Sequence, residues 1–244
     1  MIHAIHIIRS AIFYLGYAIA MVALGFYAFG LKLLRLSPEK NYQLLIGYSR
    51  LMIAWARIAC GIRYEIIGQE NIPSKHCVIV SNHQSVWETY FFQVIFNPLS
   101  SVVKIELLNI PLFGRALSMI SPIAIDRSRP ALALKQLIRI GKEKLASGRW
   151  VIIFPEGTRV KPGETKRYGA GGAMLALAAN VDILPVAHNA GSCWPAGTFT
   201  KTPGCITVVI GEAISVQGKN REELMQQAEH WIRQTSDRLV AQRA

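Results

Sequence analysis

The chain has 244 residues, of which 51% are hydrophobic, and its 27 Lys and Arg outnumber its 15 Asp and Glu to give a formal net charge of +12. This length allows one sizeable α/β domain plus an appendage, although length alone does not exclude two domains. High apolarity with positive charge favours a membrane surface and phosphorylated or anionic partners, whereas nucleic acid is disfavoured because the chain has no zinc-finger spacing, ribonucleoprotein-type aromatic motif or dense basic arm.

The first predicted element is a long apolar helix at Ser10–Leu31, a run of 22 residues without a charge. As a helix it would be about 33 Å long, close to the ~30 Å thickness of the hydrocarbon layer of a bilayer. A cleaved secretory signal is the alternative, but the run is longer than a typical signal core and follows a stretch whose one charged residue is Arg9. We therefore expect a retained membrane anchor.

A second apolar segment, residues 41–62, follows a break at Ser37-Pro38. Arg50 and Arg57 are seven residues apart and share one face of a helix, which indicates a helix that lies in the membrane interface with its arginines at the headgroups. An ordinary helix packed on the core is the alternative. Residues 1–62 are thus predicted to form a two-helix membrane motif, either a hairpin in one leaflet or a motif with one true span.

From residue 63 onward, apolar runs of strand length alternate with segments of helical periodicity. The predicted strands are 63–68, 77–81, 101–104, 123–125, 150–154, 182–187 and 205–211, and the predicted helices begin near Ser85 and cover 129–148, 169–180 and 220–242. This alternation predicts a single α/β domain at residues 63–244, with a mixed, mostly parallel central sheet flanked by helices.

The cysteines and histidines give no sign of a disulfide framework or a metal site. The four cysteines form no CxxC pair, and the six histidines contain no HExxH motif. We expect buried thiols in a reducing compartment, no metal and no bound cofactor.

A histidine and a carboxylate stand five residues apart after the second predicted strand, in the stretch "SNHQSVWE". On a regular helix their side chains would lie about 140° apart, so His83 and Glu88 can meet only if His83 lies in a turn and Glu88 in the first turn of the following helix. Imidazole can take the proton of a hydroxyl that attacks an acyl carbonyl, and a carboxylate on the other ring nitrogen fixes its tautomer. A turn histidine, and a capping box between Ser85 and Glu88, are the structural alternatives. No G-x-S-x-G motif is present, which favours direct transfer to a bound acceptor without an acyl-enzyme.

These residues resemble the NHx4D signature of the glycerolipid acyltransferases, and three further blocks follow in the order of that family. They are "KIELLNIPLFG" (104–114) with "IDR" (125–127), "FPEGTR" (154–159) and "LPVA" (184–187). Together the four blocks span about residues 80–190. The chain departs from the family pattern at Glu88, which is usually Asp, and at Ser121, which is usually Gly.

The resemblance implies the branch of the family that acts on lysophosphatidic acid. Such an O-acyltransferase would transfer a fatty acyl group from an acyl-CoA or acyl carrier protein thioester to the sn-2 hydroxyl of 1-acyl-sn-glycerol 3-phosphate, and so make phosphatidic acid in phospholipid biosynthesis. It also implies work at the inner (cytoplasmic) membrane, in contact with membrane lipids, with the catalytic domain on the cytosolic face. The implied site has His83 as the base, Glu88 as its orienting acid, the phosphate held by Lys104, Arg127 and Arg159, and the acceptor site shaped by Glu156, Gly157 and Thr158.

Alternatives remain for both the residues and the function. Lys104 and Arg159 would form ordinary salt bridges if they paired with Glu106 or Glu156, and Arg127 would do so with the aspartate that precedes it. Within the enzyme class, the acceptor would instead be another lysophospholipid, glycerol-3-phosphate or a lyso-ornithine lipid. From another class, the chain would be an inactive lipid-binding protein of the same fold, against which the intact candidate residues argue.

Overall fold

The computed structural model describes residues 2–33, 37–111 and 113–242. Its central element is a seven-stranded sheet. Its strands are β1 (Ile62–Ile67), β2 (Val78–Ser81), β3 (Leu99–Lys104), β4 (Ile123–Ile125), β5 (Trp150–Ile153), β6 (Ile183–His188) and β7 (Gly204–Ile210). The spatial order is β1-β7-β6-β2-β5-β3-β4, and every neighbouring pair is parallel except β6 with β7. The predicted mixed, mostly parallel sheet is confirmed.

Helices cover both faces of this sheet. They are α1 (Ile2–Leu33), α2 (Pro38–Cys60), α3 (Trp87–Ile95), α4 (Phe113–Met119), α5 (Pro130–Ala146), α6 (Gly171–Ala179) and α7 (Arg221–Ala241). Strands β2, β5 and β6 are buried along their whole length, as expected of parallel strands that are covered on both sides.

Two apolar cores follow from the alternation of side chains along these strands. Ile79 of β2 packs into a core with α1, α2 and α3, whereas its neighbours Val78 and Val80 pack into a second core with α5, α6 and α7. The short helix α4 was absent from the predicted elements, because seven residues are too few for helical periodicity to be evident.

Helix α1 is continuous through the predicted apolar run and begins eight residues before it. Its segment Ile2–Tyr27 is long and apolar enough to cross a membrane, with a mean hydropathy of 1.9. One side is buried in the protein, where Phe13 is fully buried. The opposite side exposes Leu15, Ile19 and Phe26, each by more than 60%. The helix therefore presents a large apolar surface that no described residue covers.

Helix α2 packs along α1 and on α3, so it resembles a packed domain helix more than a free interfacial one. Its first turn is capped by the Ser37 side chain, which accepts the Lys40 N–H at 3.3 Å. Met52 is buried against the core, while Arg50 and Arg57 are both exposed, as their shared helical face predicts. The helix ends at Gly61, whose backbone is in the left-handed region, and leads directly into β1. Strand β1 begins at Ile62, so the predicted boundary between residues 62 and 63 falls one residue inside it.

Candidate active site

The candidate residues are gathered by the topology of the sheet. His83 follows β2, Lys104 ends β3, Arg127 follows β4, and the segment 154–159 follows β5. Because these four strands are neighbours and parallel, their carboxyl ends lie at one edge of the sheet, which is where α/β proteins place their ligand sites.

The turn after β2 brings His83 and Glu88 together. Nδ1 of His83 lies 2.9 Å from Oε1 of Glu88, whose side chain is fully buried. Burial by itself raises the pKa of Glu88, but the neighbouring His188 and His83, together with the N–H of Ser85, hold that pKa below its ordinary value. Glu88 is therefore an ionised carboxylate, and the predicted pairing of imidazole and acid is present.

This pairing determines the tautomer of His83. An ionised carboxylate only accepts hydrogen bonds, so Nδ1 carries the proton and Nε2 keeps its lone pair. The ring stacks on Phe154 with centroids 4.1 Å apart and planes 16° apart, which limits its rotation. Within the described part of the chain, no hydrogen-bond partner occupies Nε2, and the ring is 15% exposed on the wall of a cavity. His83 is thus arranged as a base.

Glu88 also serves the backbone of the turn. The same oxygen that binds His83 accepts the N–H of Gln84 at 2.9 Å and that of Ser85 at 2.7 Å. The Ser85 hydroxyl accepts the N–H of Trp87 at 3.1 Å, which starts α3 two residues later than predicted. Only half of the predicted capping box is therefore present: Glu88 reaches back to the N–H of Ser85, but the helix begins after Val86, whose side chain does not cap it.

The loop after β5 is fastened to the same turn by two hydrogen bonds. Oε2 of Glu156 accepts the backbone N–H of His83 at 2.7 Å, and the N–H of Val160 donates to the carbonyl of His83 at 2.7 Å. Burial, and secondarily the charge of Glu88, raise the pKa of Glu156 to about 8 against the hydrogen bond from His83. The carboxyl group is therefore largely neutral near pH 7. Glu156 is buried and is absent from the cavity lining, so its contact with the site is through His83.

The second and third sequence blocks meet at Arg127 and Gly157. The Arg127 guanidinium donates to the carbonyl of Gly157, whose backbone is in the left-handed region at φ 70°. The ion pair of the 126–129 turn is instead formed by Asp126 with Arg129, at 3.7 Å. The turn alternative for Arg127 is therefore wrong.

One cavity of about 880 Å³ joins these groups to the N-terminal helices. Its polar end includes His83, Gly157 and Thr158, the predicted cations Lys104, Arg127 and Arg159, and two charged residues that were not predicted, Lys161 and Glu164. Among the described residues, no acidic side chain forms an ion pair with Lys104 or Arg159. The rest of the cavity is lined mainly by apolar side chains on or next to α1, α2, α3 and α4, including Leu24, Leu45, Phe113 and Leu117, with Val86 just before α3.

This cavity combines a cationic end with an apolar region, as the binding of a phosphorylated lipid requires. Cations at one end can bind a phosphate, and an arginine can do so through two parallel hydrogen bonds. The apolar region can bury hydrocarbon chains. The base lies at the polar end, where a hydroxyl near the phosphate would be placed.

Sequence reasoning assigned no role to two polar residues that lie at the site. Asn82 and His188 are both buried and hydrogen-bonded to each other beside His83. The available signal was a histidine that ends the otherwise apolar strand "ILPVAH", immediately after the fourth sequence block.

Comparison with known proteins adds independent findings. A family model described as acyltransferase matches residues 63–189. The 1-acyl-sn-glycerol-3-phosphate acyltransferase of Pseudomonas aeruginosa is 46% identical over 93% of this chain and 90% of its own length. The human 1-acyl-sn-glycerol-3-phosphate acyltransferase beta is 31% identical over 65% of this chain and 58% of its own.

A solved structure shows the same fold. The crystal structure of the 1-acyl-sn-glycerophosphate (LPA) acyltransferase PlsC from Thermotoga maritima superposes with a TM-score of 0.80 at 24% sequence identity. The match covers 99% of this chain and 98% of that one, so it includes the N-terminal helices as well as the sheet.

Proposed function

Because the chain belongs to the acyltransferase family and is an O-acyltransferase, we propose that it acylates the sn-2 hydroxyl of 1-acyl-sn-glycerol 3-phosphate. The acyl group comes from the thioester of acyl-CoA or acyl carrier protein, and the product is phosphatidic acid. The thioester is a co-substrate, and the reaction draws on no metal or bound cofactor because a thiolate is already a good leaving group.

The observation that carries this proposal is the state of His83. Its Nδ1–H is committed to Glu88 at 2.9 Å, and its ring lies on the wall of a cavity whose lining includes four cations, among them Lys104, Arg127 and Arg159. A hydroxyl group has a pKa far above 7, so it attacks a thioester efficiently only if a base removes its proton during the attack.

In the proposed reaction, Nε2 of His83 accepts the proton of the acceptor hydroxyl as its oxygen bonds to the thioester carbonyl carbon. The imidazolium that forms is stabilised by the ionised Glu88. The tetrahedral intermediate then collapses, the carbon–sulfur bond breaks, and the thiolate takes the proton back from Nε2. No bond to the enzyme forms at any stage.

Substrate placement follows from the charges and the apolar walls. Lys104, Arg127 and Arg159 hold the phosphate of the acceptor at the polar end of the cavity. The acyl chains occupy the apolar region between α1, α2, α3 and α4. The enzyme works at the inner membrane from the cytosolic face, with the exposed apolar side of α1 in the lipid.

A panel of acceptors and donors tests this proposal. Purified chain in micelles is offered lysophosphatidic acid, another lysophospholipid, glycerol-3-phosphate and a lyso-ornithine lipid, each with acyl-CoA and with acyl carrier protein thioester. Transfer to lysophosphatidic acid is expected to have the highest kcat/KM. Transfer to another acceptor but not to lysophosphatidic acid contradicts the substrate assignment, and binding without transfer from either thioester contradicts the reaction.

A further inference from the structure

His188 is a fully buried histidine beside the candidate base, at the carboxyl end of β6, which pairs with β2. Its Nδ1 accepts the backbone N–H of Ala190 at 3.2 Å. A neutral imidazole has one N–H, so Nε2 carries it and donates it to the carbonyl oxygen of Asn82 at 2.9 Å. Burial lowers the pKa of His188, so the ring remains neutral near pH 7.

The side chain of Asn82 completes this contact from the other direction. Its Nδ2 donates to the carbonyl of His188 at 2.9 Å, and its Oδ1 accepts the N–H of His188 at 3.1 Å. Three hydrogen bonds thus join two residues, and they extend the pairing of β2 with β6 past the last strand residue, Ser81.

The peptide group that links Asn82 to His83 is held on both sides. Its carbonyl oxygen accepts from Nε2 of His188 at 2.9 Å and, over a longer distance of 3.3 Å, from the Ser81 hydroxyl, and its N–H donates to Oε2 of Glu156 at 2.7 Å. This is the peptide group from which the His83 side chain projects. A rotation of its plane would carry the imidazole away from Glu88 or away from the cavity.

We propose that His188 is a positioning residue that fixes the orientation of His83 by donating its Nε2–H to the carbonyl of Asn82. This inference rests on the proposed role of His83 as the base. His188 is fully buried and is not part of the cavity lining, so it has no route to the acceptor hydroxyl. Its Nε2 lies 4.0 Å from Glu88, too far to compete with His83 for a hydrogen bond to the carboxylate.

The competing explanation is that His188 only fills the core and caps the turn at Ala190. Two substitutions separate the two contacts, because each amide side chain reproduces one ring nitrogen. In His188→Gln the amide nitrogen replaces Nε2 and keeps a donor for Asn82, while the acceptor for Ala190 is lost. In His188→Asn the amide oxygen replaces Nδ1 and keeps the acceptor for Ala190, while the ring donor to the Asn82 carbonyl is lost and only the longer contact from the Ser81 hydroxyl remains.

The expected result is a difference in turnover between these two variants. A displacement of about 1 Å in a reacting group costs about 100-fold in rate, so kcat of His188→Asn should fall by about 10- to 100-fold while KM for acceptor and donor stays unchanged. His188→Gln should stay within about threefold of the wild-type kcat. Wild-type kcat in His188→Asn, or an equal loss in both variants, would overturn the proposal.

A second measurement does not depend on the substrate. In protein whose histidine rings carry ¹⁵N, long-range proton–nitrogen NMR spectra report the tautomer of each ring. His188 should be neutral with its proton on Nε2 in the wild type, and the Nδ1–H resonance of His83 should move in His188→Asn but not in His188→Gln. A proton on Nδ1 of His188 would overturn the proposal. If lysophosphatidic acid is the wrong acceptor, the wild type fails the turnover assay while these spectra still decide the role of His188.

Discussion

Replacement of Glu88 by glutamine should separate its electrostatic role from its role as acceptor for the backbone N–H groups of the turn. Glu88→Gln keeps a side-chain oxygen for the N–H groups of Gln84 and Ser85, and this oxygen can also accept from His83. What it removes is the negative charge, which lies 2.9 Å from Nδ1 of the ring that becomes an imidazolium.

The size of the effect follows from that distance. Two unit charges 2.9 Å apart interact with about 6 kcal/mol at an effective dielectric constant of ~20, which corresponds to a rate factor of about 10⁴. Because the proton is only partly transferred in the transition state, kcat should fall by about 10²- to 10⁴-fold. The free energy of unfolding should change by less than about 1 kcal/mol, because both backbone N–H groups keep an acceptor.

The assay is the release of free thiol from acyl-CoA at saturating acceptor and donor, with chemical unfolding of the same samples. Glu88→Ala is the matched control, since it removes the charge and leaves two buried N–H groups without an acceptor. That variant should lose both turnover and about 1–3 kcal/mol of stability for each group. If Glu88→Gln turns over within threefold of wild type while Glu88→Ala is destabilised, the residue only holds the backbone of the turn and the proposed mechanism is refuted.

Three further predictions concern the phosphate, the buried acid and the membrane surface. Arg159→Ala should raise KM for lysophosphatidic acid about 10-fold or more with little change in kcat, because binding to a charged group is lost; the exposed Lys142→Ala is the matched control for general charge. Burial raises the pKa of Glu156 to about 8, so the folded chain keeps a proton that the unfolded chain releases above pH 4.5 or so. As pH rises from about 5 to 8, the free energy of unfolding should fall by up to about 1.4 kcal/mol per pH unit, and this slope should disappear in Glu156→Gln. Ile19→Glu on the exposed side of α1 should reduce sedimentation with lipid vesicles, because a charged residue at the centre of a membrane helix costs about 3 kcal/mol, whereas the equally exposed Leu132→Glu on α5 should not.

Each of these predictions has a contrary outcome. An unchanged KM for Arg159→Ala, or an equal increase in Lys142→Ala, would remove Arg159 from phosphate binding. A stability profile that is flat in the wild type or equally steep in Glu156→Gln would show that Glu156 is ionised in the folded chain. Equal membrane binding by Ile19→Glu and the wild type would place the lipid contact elsewhere.

The strands could be predicted closely from the sequence, because each is a short apolar run bounded by polar or glycine-containing turns. Every predicted strand overlaps an observed one, and the predicted helix 129–148 is observed as Pro130–Ala146. The order of the strands, and the antiparallel pairing of β6 with β7, could not be predicted because they depend on contacts between distant segments.

The candidate site, like the fold, could be predicted from the sequence only in part. The pairing of His83 with Glu88 was predictable because a strand that ends at Ser81 places one residue in the turn and the other in the first helical turn. The orientation of Glu156 was not, because a motif records which side chain is present and not the direction in which it points. His188 acts on a backbone carbonyl, and such a contact leaves no pattern in a single sequence.

Whether His83 is the base is tested by the rate of acyl transfer to lysophosphatidic acid by the His83→Ala variant in micelles. Because a positioned base contributes about 10²- to 10⁴-fold, we expect kcat to fall in that range while vesicle sedimentation stays at the wild-type level. Turnover within threefold of wild type would contradict the claim that His83 removes the proton of the acceptor hydroxyl.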